Sequence, residues 1–397
     1  MVSDLENDMR EIEKIKENLN TVVSEEIDKG ALPWAIVKLI KRGESVLTIR
    51  TGFSDIEKRK AVTEHSIFRA YSMGKPLAAI ALFQLVEAGK IVLNSPLSDY
   101  LPEYKQMKVI TPDGTTSAEK PILIKHLLNM TSGLVYPDED QAGREMQDVF
   151  DDIEKGGNSL STREVCRRIA EKPLAFQPGE AWRYGLSVDV AGAVIEIVSE
   201  CRLSEYYKKN LFLPLEMEDT GFFVPKPKWK RYVPLYDYEP EEGLFITQKR
   251  HLGLTQGFEP PCFESAGAGI LTTEKDFMHF IQCLLNQGKR NGVRLLGEKT
   301  FQYLCRNQLN DAQKRTIYFD HMAGYGYGSF MRMYMDPQEA GTCGCSNEFG
   351  WDGWSGPYFT VNLEDQTGIL FLTQRCGYCN PELISKIRNI CYSYDFH

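Results

Sequence analysis

Residues 70–80 read Ala-Tyr-Ser-Met-Gly-Lys-Pro-Leu-Ala-Ala-Ile, and the rest of the chain is best interpreted around this stretch. It places Ser72 and Lys75 three residues apart at the start of an apolar run, which predicts an amphipathic helix. Because residues at i and i+3 face the same way on a helix, we expect the serine hydroxyl to lie beside the lysine amine. A neutral lysine there is able to accept the hydroxyl proton, so the pair has the geometry of a serine-lysine nucleophile.

Runs rich in β-branched and aromatic residues cluster near the two ends of the chain, and mostly helical patterns lie between them. The early runs predict a hairpin, and the late runs predict further strands of the same antiparallel sheet. These runs are residues 35–40, 45–50, 325–333, 358–362 and 368–373.

Helical periodicity over residues 3–29 and 381–392 predicts that terminal helices flank this sheet. We therefore predict an α/β sheet domain made of residues 1–70 and 265–397, and an inserted, mainly helical domain of residues 71–264. The active site is expected at the interface between the two domains. This is an α/β plus all-α organisation within one chain.

Composition narrows the classes of partner. The chain has 397 residues and a net charge of −9, from 46 Lys+Arg against 55 Asp+Glu, without a basic block. This argues against nucleic acid and against an anionic membrane surface, and it favours small molecules. The acidic N-terminus lacks the pattern of a secretory signal, and no segment is long and apolar enough to span a membrane, so we predict a cytoplasmic protein. The oligomeric state is left open.

Ten cysteines are scattered along the chain, which is typical of reduced thiols in a cytosol. The default expectation is therefore no metal and no cofactor. A zinc site formed by two pairs of cysteines is the alternative, because a C-x-C and a C-x-x-C are able to place four thiolates around a zinc ion. The pairs are Cys343 with Cys345 and Cys376 with Cys379.

Three other stretches carry residues suited to the chemistry of a serine-lysine pair. Residues 124–134 predict a helix that ends at Ser-Gly, and residues 176–187 contain a Pro-Gly turn, then Tyr184, then a predicted helix start. Residues 350–358 read Gly-Trp-Asp-Gly-Trp-Ser-Gly-Pro-Tyr, a glycine-rich approach to a predicted strand.

In this order, the motifs resemble those of the serine β-lactamase and penicillin-binding-protein superfamily, in particular its class C branch and the family VIII carboxylesterases. The resemblance covers nearly the whole chain and implies the β-lactamase/transpeptidase-like fold. Residues 211–222, 265–273 and 291–296 are similar to further stretches of that branch.

The resemblance implies that Ser72 is the nucleophile, that Lys75 accepts its proton, and that Tyr184 is a second acid/base group. It also implies that the backbone N–H groups of Ser72 and Trp354 form the oxyanion hole, where one donor is typically worth about 3 kcal/mol. For Lys75 to act as a base its pKa must fall, and apolar surroundings lower it. We expect a nearby ammonium to make Tyr184 more acidic.

Two positions depart from the lactamase pattern. Where β-lactamases of this branch carry Lys or His, then Thr or Ser, then Gly, this chain has Trp351, Asp352 and Gly353, closer to the Trp-Gly-Gly of the family VIII esterases. Tryptophan cannot hold the carboxylate of a β-lactam as lysine does. Leu186 stands two residues after Tyr184, where the branch usually has Asn, Ser or Val, and it donates no hydrogen bond to an amide. These four residues, 186 and 351–353, are the predicted substrate contacts.

We therefore predict a serine hydrolase that forms an acyl-enzyme on Ser72, an esterase acting on small acyl esters without a cofactor. Its partner is a small-molecule ester or amide. Alternatives are a D-amino-acid amidase or aminopeptidase, for which Asp352 is the motivating amine anchor, a DD-peptidase, a weak β-lactamase or an acyltransferase. A further alternative is a catalytically silent β-lactamase-like binding protein, since two motifs are altered.

Overall fold

The computed structural model describes residues 2–393, with side chains described from residue 8 onward. This part of the chain forms thirteen α-helices and sixteen strands. The helices are α1 (Val2–Asp28), α2 (Lys75–Glu87), α3 (Ile124–Leu128), α4 (Gln141–Lys155), α5 (Thr162–Ala170), α6 (Ser187–Ser199), α7 (Leu203–Tyr207), α8 (Leu213–Leu215), α9 (Glu274–Leu285), α10 (Glu298–Leu304), α11 (Asp311–Lys314), α12 (Pro337–Ala340) and α13 (Pro381–Cys391).

The strands fall into one large sheet and several short hairpins or pairs. They are β1 (Trp34–Lys41), β2 (Glu44–Asp55), β3 (Lys60–Ala61), β4 (Phe68–Arg69), β5 (Lys108–Thr111), β6 (Gly114–Ser117), β7 (Tyr236–Glu239), β8 (Gly243–Ile246), β9 (Leu271–Thr272), β10 (Lys289–Arg290), β11 (Val293–Arg294), β12 (Tyr325–Gly328), β13 (Met331–Tyr334), β14 (Glu348–Asp352), β15 (Tyr358–Asn362) and β16 (Thr367–Leu372).

Eight strands form the large sheet, in the order β12-β13-β14-β15-β16-β1-β2-β3. Strand β1 pairs antiparallel with β2, where Val37 lies opposite Ile49. On its other side β1 pairs antiparallel with β16, where Ile36 lies opposite Leu372. The predicted antiparallel sheet of early and late strands is therefore confirmed, and the two ends of the chain meet in its centre.

Both faces of the sheet are covered, which explains why β1 is buried at every residue. Ile36 and Ile40 face the main core, together with side chains of α9 and of the helical region. Val37 and Leu39 face the opposite core, which the terminal helices α1 and α13 cover. A strand buried on both faces reads as a continuous apolar run rather than an alternating one. The flanking terminal helices are as predicted.

The helix predicted after Ser72 differs from the prediction in two ways. Residues Tyr71–Gly74 form a 3₁₀ turn, and α2 begins only at Lys75. Helix α2 is also not amphipathic, because every residue from Lys75 to Phe83 is buried. It packs against α6, α7 and α10 as the central helix of the helical region. A helix that is apolar all round is one that the fold encloses.

The segment predicted as one strand over residues 325–333 is a tight hairpin, β12 and β13. Ser329 and Phe330 adopt φ values of 50° and 62° at its turn, a conformation that local β propensity does not reveal. The division into domains 1–70 plus 265–397 and 71–264 stays a prediction. Across residues 2–393 none of the helices combines the length and the hydropathy that a membrane span requires.

Candidate active site

Ser72 and Lys75 meet at the junction between the 3₁₀ turn and α2. Lys75 Nζ lies 2.8 Å from Ser72 Oγ and donates a hydrogen bond to it. Side chains at i and i+3 eclipse on a 3₁₀ turn, so the two groups lie side by side although they do not share an α-helical turn. Tyr71 has a φ of 45°, a strained value for a tyrosine, which turns the chain sharply just before Ser72.

Lys75 is fully buried, and burial lowers its pKa to about 7. The carboxylates of Asp189 and Asp352 act in the opposite direction. The amine also donates to the carbonyl oxygen of Gly267 at 2.7 Å and to the hydroxyl of Tyr136 at 3.3 Å. The expected fall in the lysine pKa through desolvation is therefore confirmed in direction. At neutral pH a substantial fraction of Lys75 is unprotonated and able to act as a base.

Asp189 organises the turn that holds the lysine. It lies on α6, is 2% exposed, and accepts hydrogen bonds from Ser265 Oγ at 2.6 Å and from the backbone N–H of Gly267 at 3.1 Å. The carbonyl of that same Gly267 receives the amine of Lys75. Asp189 thus fixes an acceptor for Lys75 and contributes negative charge nearby.

Tyr184 lies between the lysine and the large sheet. Lys75 Nζ is 4.8 Å from the centre of its ring, and Trp351 Nε1 donates to its hydroxyl at 3.0 Å. Burial raises the pKa of Tyr184, against the opposing effect of hydrogen bonds with Ser72 and Trp351. The expectation that an ammonium would make it more acidic is wrong, because desolvation of the phenolate is the larger effect. Tyr184 is a protonated phenol at neutral pH.

A glycine brings Tyr184 into place. A Cβ at Gly185 would overlap the backbone of Leu134 and Val135. The chain carrying Tyr184 therefore packs directly on the loop that carries Tyr136, and the two rings are 5.6 Å apart. Glycine permits this approach because it has no side chain.

A second glycine brings the end of β14 to the serine. A Cβ at Gly353 would overlap the carbonyl oxygen of Ala70 and the ring of Pro357. Trp354, whose N–H is the second predicted oxyanion donor, therefore follows directly after the point where β14 touches the turn of Ser72. The oxyanion role of the two N–H groups stays a prediction.

Three of the four predicted substrate contacts line the cavity that contains Ser72, namely Trp351, Asp352 and Gly353. Leu186 does not line it. This side chain is 1% exposed and packs in the main core, because it stands at the start of α6 and points into the helical region. Its assignment as a substrate contact is wrong.

The carboxylate of Asp352 is already paired. Arg332, itself 4% exposed, donates to it at 3.2 Å. A substrate ammonium would have to share the carboxylate with this guanidinium, and since the Asp352 side chain is 39% exposed, its role as an amine anchor stays a prediction.

The four cysteines of the zinc alternative are not brought together. Cys343 is exposed beside Asn389, Cys376 is buried beside Tyr236, and Cys379 lines the cavity. Among the described side chains, no group of three or more His, Cys, Asp and Glu residues is close enough to hold a metal ion. Cys345 and the other cysteines are free thiols.

Sequence reasoning missed two residues of the site. Tyr136 follows the predicted helix stop at Ser-Gly, and its hydroxyl accepts a hydrogen bond from the Lys75 amine. His251 lines the cavity and stacks on Trp354 with ring centres 3.7 Å apart. Burial lowers the pKa of His251 to about 4, so it is neutral at pH 7. Both stand in loops without periodicity, so only their contacts reveal them.

The site opens into a cavity of about 810 Å³. Its wall combines one face of α4, the loop 250–253, residues 319–325, the ends of β13 and β14, and the start of α13. Substrate-binding clefts of enzymes are typically 300–1,000 Å³ in volume. The serine-lysine pair thus faces a cleft of the size that holds a small molecule.

Comparisons with known proteins identify relatives of this chain. A family model described as Beta-lactamase matches residues 19–380. Esterase EstB of Burkholderia gladioli is 28% identical over 391 residues, which cover 94% of this chain and 94% of that protein.

Two solved structures share the fold. EstCE1, described as a hydrolase with promiscuous acyltransferase activity, has a TM-score of 0.82 at 22% identity and covers 96% of this chain and 99% of its own. Simvastatin synthase LovD of Aspergillus terreus has a TM-score of 0.79 at 18% identity, with coverage of 94% and 97%.

Proposed function

Because the chain belongs to the β-lactamase family and is a serine hydrolase of that fold, we propose that it is an esterase that acylates Ser72 with small acyl groups and releases them to water. The observation that carries this proposal is the 2.8 Å contact between Ser72 Oγ and a fully buried Lys75. A serine hydroxyl is a weak nucleophile near neutral pH unless a base lies within hydrogen-bond reach.

In the acylation step, Ser72 Oγ attacks the ester carbonyl and its proton passes to the unprotonated amine of Lys75. The negative charge on the carbonyl oxygen is stabilised by the backbone N–H groups of Ser72 and Trp354. The protonated phenol of Tyr184 donates its proton to the departing alcohol and regains one from the Lys75 ammonium. Water then attacks the acyl carbonyl and passes a proton to Lys75. That proton goes to Ser72 Oγ as the bond between Oγ and the acyl carbon breaks and the carboxylic acid leaves.

Esters are favoured over lactams by the residue that follows Gly350. Trp351 occupies the place of the lactamase cation and donates its only N–H to Tyr184. It therefore orients the phenol and leaves no charged donor there for a lactam carboxylate. Similarity to Esterase EstB supports the same choice.

The test uses Ser72→Ala and p-nitrophenyl acetate. We expect wild-type protein to release p-nitrophenol and to gain one acetyl group by intact mass, and Ser72→Ala to do neither. Ser98→Ala is the matched control, since Ser98 does not line the cavity. Turnover by Ser72→Ala at the wild-type rate would overturn the assignment of the nucleophile. Absence of both p-nitrophenol release and a covalent adduct in the wild type would favour the silent binding protein.

Acyl transfer is the second candidate, because the cavity has room for an alcohol beside the acyl-enzyme and EstCE1 is described as a hydrolase with promiscuous acyltransferase activity. Adding a primary alcohol during turnover of p-nitrophenyl acetate tests it. Formation of the new acetate ester by the wild type, and not by Ser72→Ala, would support transfer. Release of acetic acid alone would restrict the activity to hydrolysis.

A further inference from the structure

The cavity is much larger than a short-chain ester requires. Its volume of about 810 Å³ lies in the upper part of the range that holds drug-sized ligands. A substrate as small as ethyl acetate would leave most of that wall unused, and binding energy from remote parts of a substrate is what positions its reacting bond. The residues of the remaining wall therefore indicate which chemical groups the natural substrate has beyond its ester bond.

That wall is aromatic. Ten of its 34 residues are Phe, Tyr or Trp, whereas these types make up 11% of the whole chain. Three rings of the wall form a continuous row that begins at Tyr184. The ring centres of Tyr184 and Phe319 are 5.7 Å apart, and those of Phe319 and His321 are 5.3 Å apart. Aromatic side chains prefer flat partners in stacked or edge-to-face contact.

Helix α4 completes the wall with one of its faces. Gln147, Phe150 and Glu154 line the cavity at a spacing of three and four residues. Phe150 lies between the two polar residues and is 7% exposed. The helix therefore presents one ring between polar side chains.

The cations in the cavity wall already have partners in the protein. Arg332 is paired with Asp352, and Arg388 is paired with Glu348. Arg250 donates to backbone carbonyl oxygens of residues 253 and 254, at 3.0 and 2.9 Å. The wall therefore offers aromatic rings, rather than unpartnered cations, to a ligand.

We propose that the substrate is an ester without an anionic group that bears a bulky ring system packed along this wall, with Phe150 as one of its contacts. The inference rests on the proposed esterase function and adds the substrate class to it.

The experiment compares three acetates: phenyl acetate, 2-naphthyl acetate and octyl acetate. Phenol and 2-naphthol are leaving groups of similar reactivity, so their ratio reports recognition of the second ring. We expect kcat/KM for 2-naphthyl acetate to exceed that for phenyl acetate about tenfold, from the added apolar area buried. Equal values for the two aryl esters, or a higher value for octyl acetate, would overturn the inference. Absence of hydrolysis of phenyl acetate would instead overturn the proposed function itself.

Variants of α4 separate a ring contact from general damage to the helix. Phe150→Ala is expected to reduce the naphthyl-to-phenyl ratio by at least threefold, and Phe150→Leu, which keeps most of the volume without a ring, to reduce it as well. Val149→Ala is the matched control, because Val149 is 2% exposed on the same helix but does not line the cavity. It should keep the wild-type ratio. An unchanged ratio in both Phe150 variants would contradict the proposal.

Discussion

Replacing Lys75 with methionine is expected to stabilise the folded protein at pH 7 while it removes the proposed base. An unperturbed lysine has a pKa of 10.5, whereas burial lowers the pKa of Lys75 to about 7. A shift of one pKa unit corresponds to about 1.4 kcal/mol, so burying this amine costs the fold about 5 kcal/mol at pH 7 or below.

The substitution also removes the hydrogen bonds of the lysine amine, and this loss offsets part of the stabilisation. Lys75 donates to the Gly267 carbonyl at 2.7 Å and to the hydroxyls of Ser72 and Tyr136. A buried acceptor left without a partner costs about 1–3 kcal/mol. The free energy of unfolding of Lys75→Met is therefore expected to exceed that of the wild type by about 2–4 kcal/mol at pH 7.

The pH dependence gives the sharper test. Between the folded pKa of about 7 and the value of 10.5 for a free lysine, the unfolded state holds the proton that the folded state has lost. Raising the pH through this window therefore stabilises the wild type by about 1.4 kcal/mol per unit and leaves Lys75→Met without this contribution. The advantage of the variant should shrink at that slope.

Urea unfolding of both proteins at pH 7, 8 and 9 measures the difference. Ser72→Ala is the control, because it keeps the buried lysine and should follow the wild-type slope. A difference between Lys75→Met and wild type that does not change with pH would refute the burial-driven shift.

Three further outcomes follow from the same contacts. The kcat/KM for p-nitrophenyl acetate should fall about tenfold per unit as the pH drops below about 7, because protonated Lys75 accepts no proton; a flat profile from pH 5 to 8 would contradict this. Asp189→Asn should shift this fall in kcat/KM to lower pH, because the Asp189 carboxylate raises the pKa of Lys75. A variant that lost activity while the pH of the fall stayed the same would show a structural role only. Trp351→Phe should lower kcat about tenfold through loss of the hydrogen bond to the hydroxyl of Tyr184, measured on protein whose thermal unfolding matches the wild type.

Much of the fold was predictable because its signals are local and repeated. The β-rich runs at both ends and the flanking terminal helices appear in the sequence as periodicity, and the structure joins them into the predicted sheet. Local signals failed where the conformation depends on few residues. Ser329 and Phe330 have positive φ values, which make a hairpin of the segment predicted as one strand. The helix that begins at Lys75 is buried on all sides and is therefore not the predicted amphipathic helix.

The contact between Ser72, the proposed nucleophile, and Lys75 could be predicted from the sequence alone, because a spacing of three residues brings the two side chains together on either kind of helical turn. The expectation that Gly353 and Trp351 approach this pair came from the resemblance of residues 350–358 to a family motif, because order along the chain does not by itself show which residues meet. The electrostatics of the site and the lining of the cavity, in contrast, depend on how distant parts of the chain pack together. The lysine pKa depends on enclosure by distant elements, Asp352 pairs with Arg332 twenty positions away, and Leu186 turns into the core. Burial and charge pairing are properties of three-dimensional packing, which no short stretch of sequence contains.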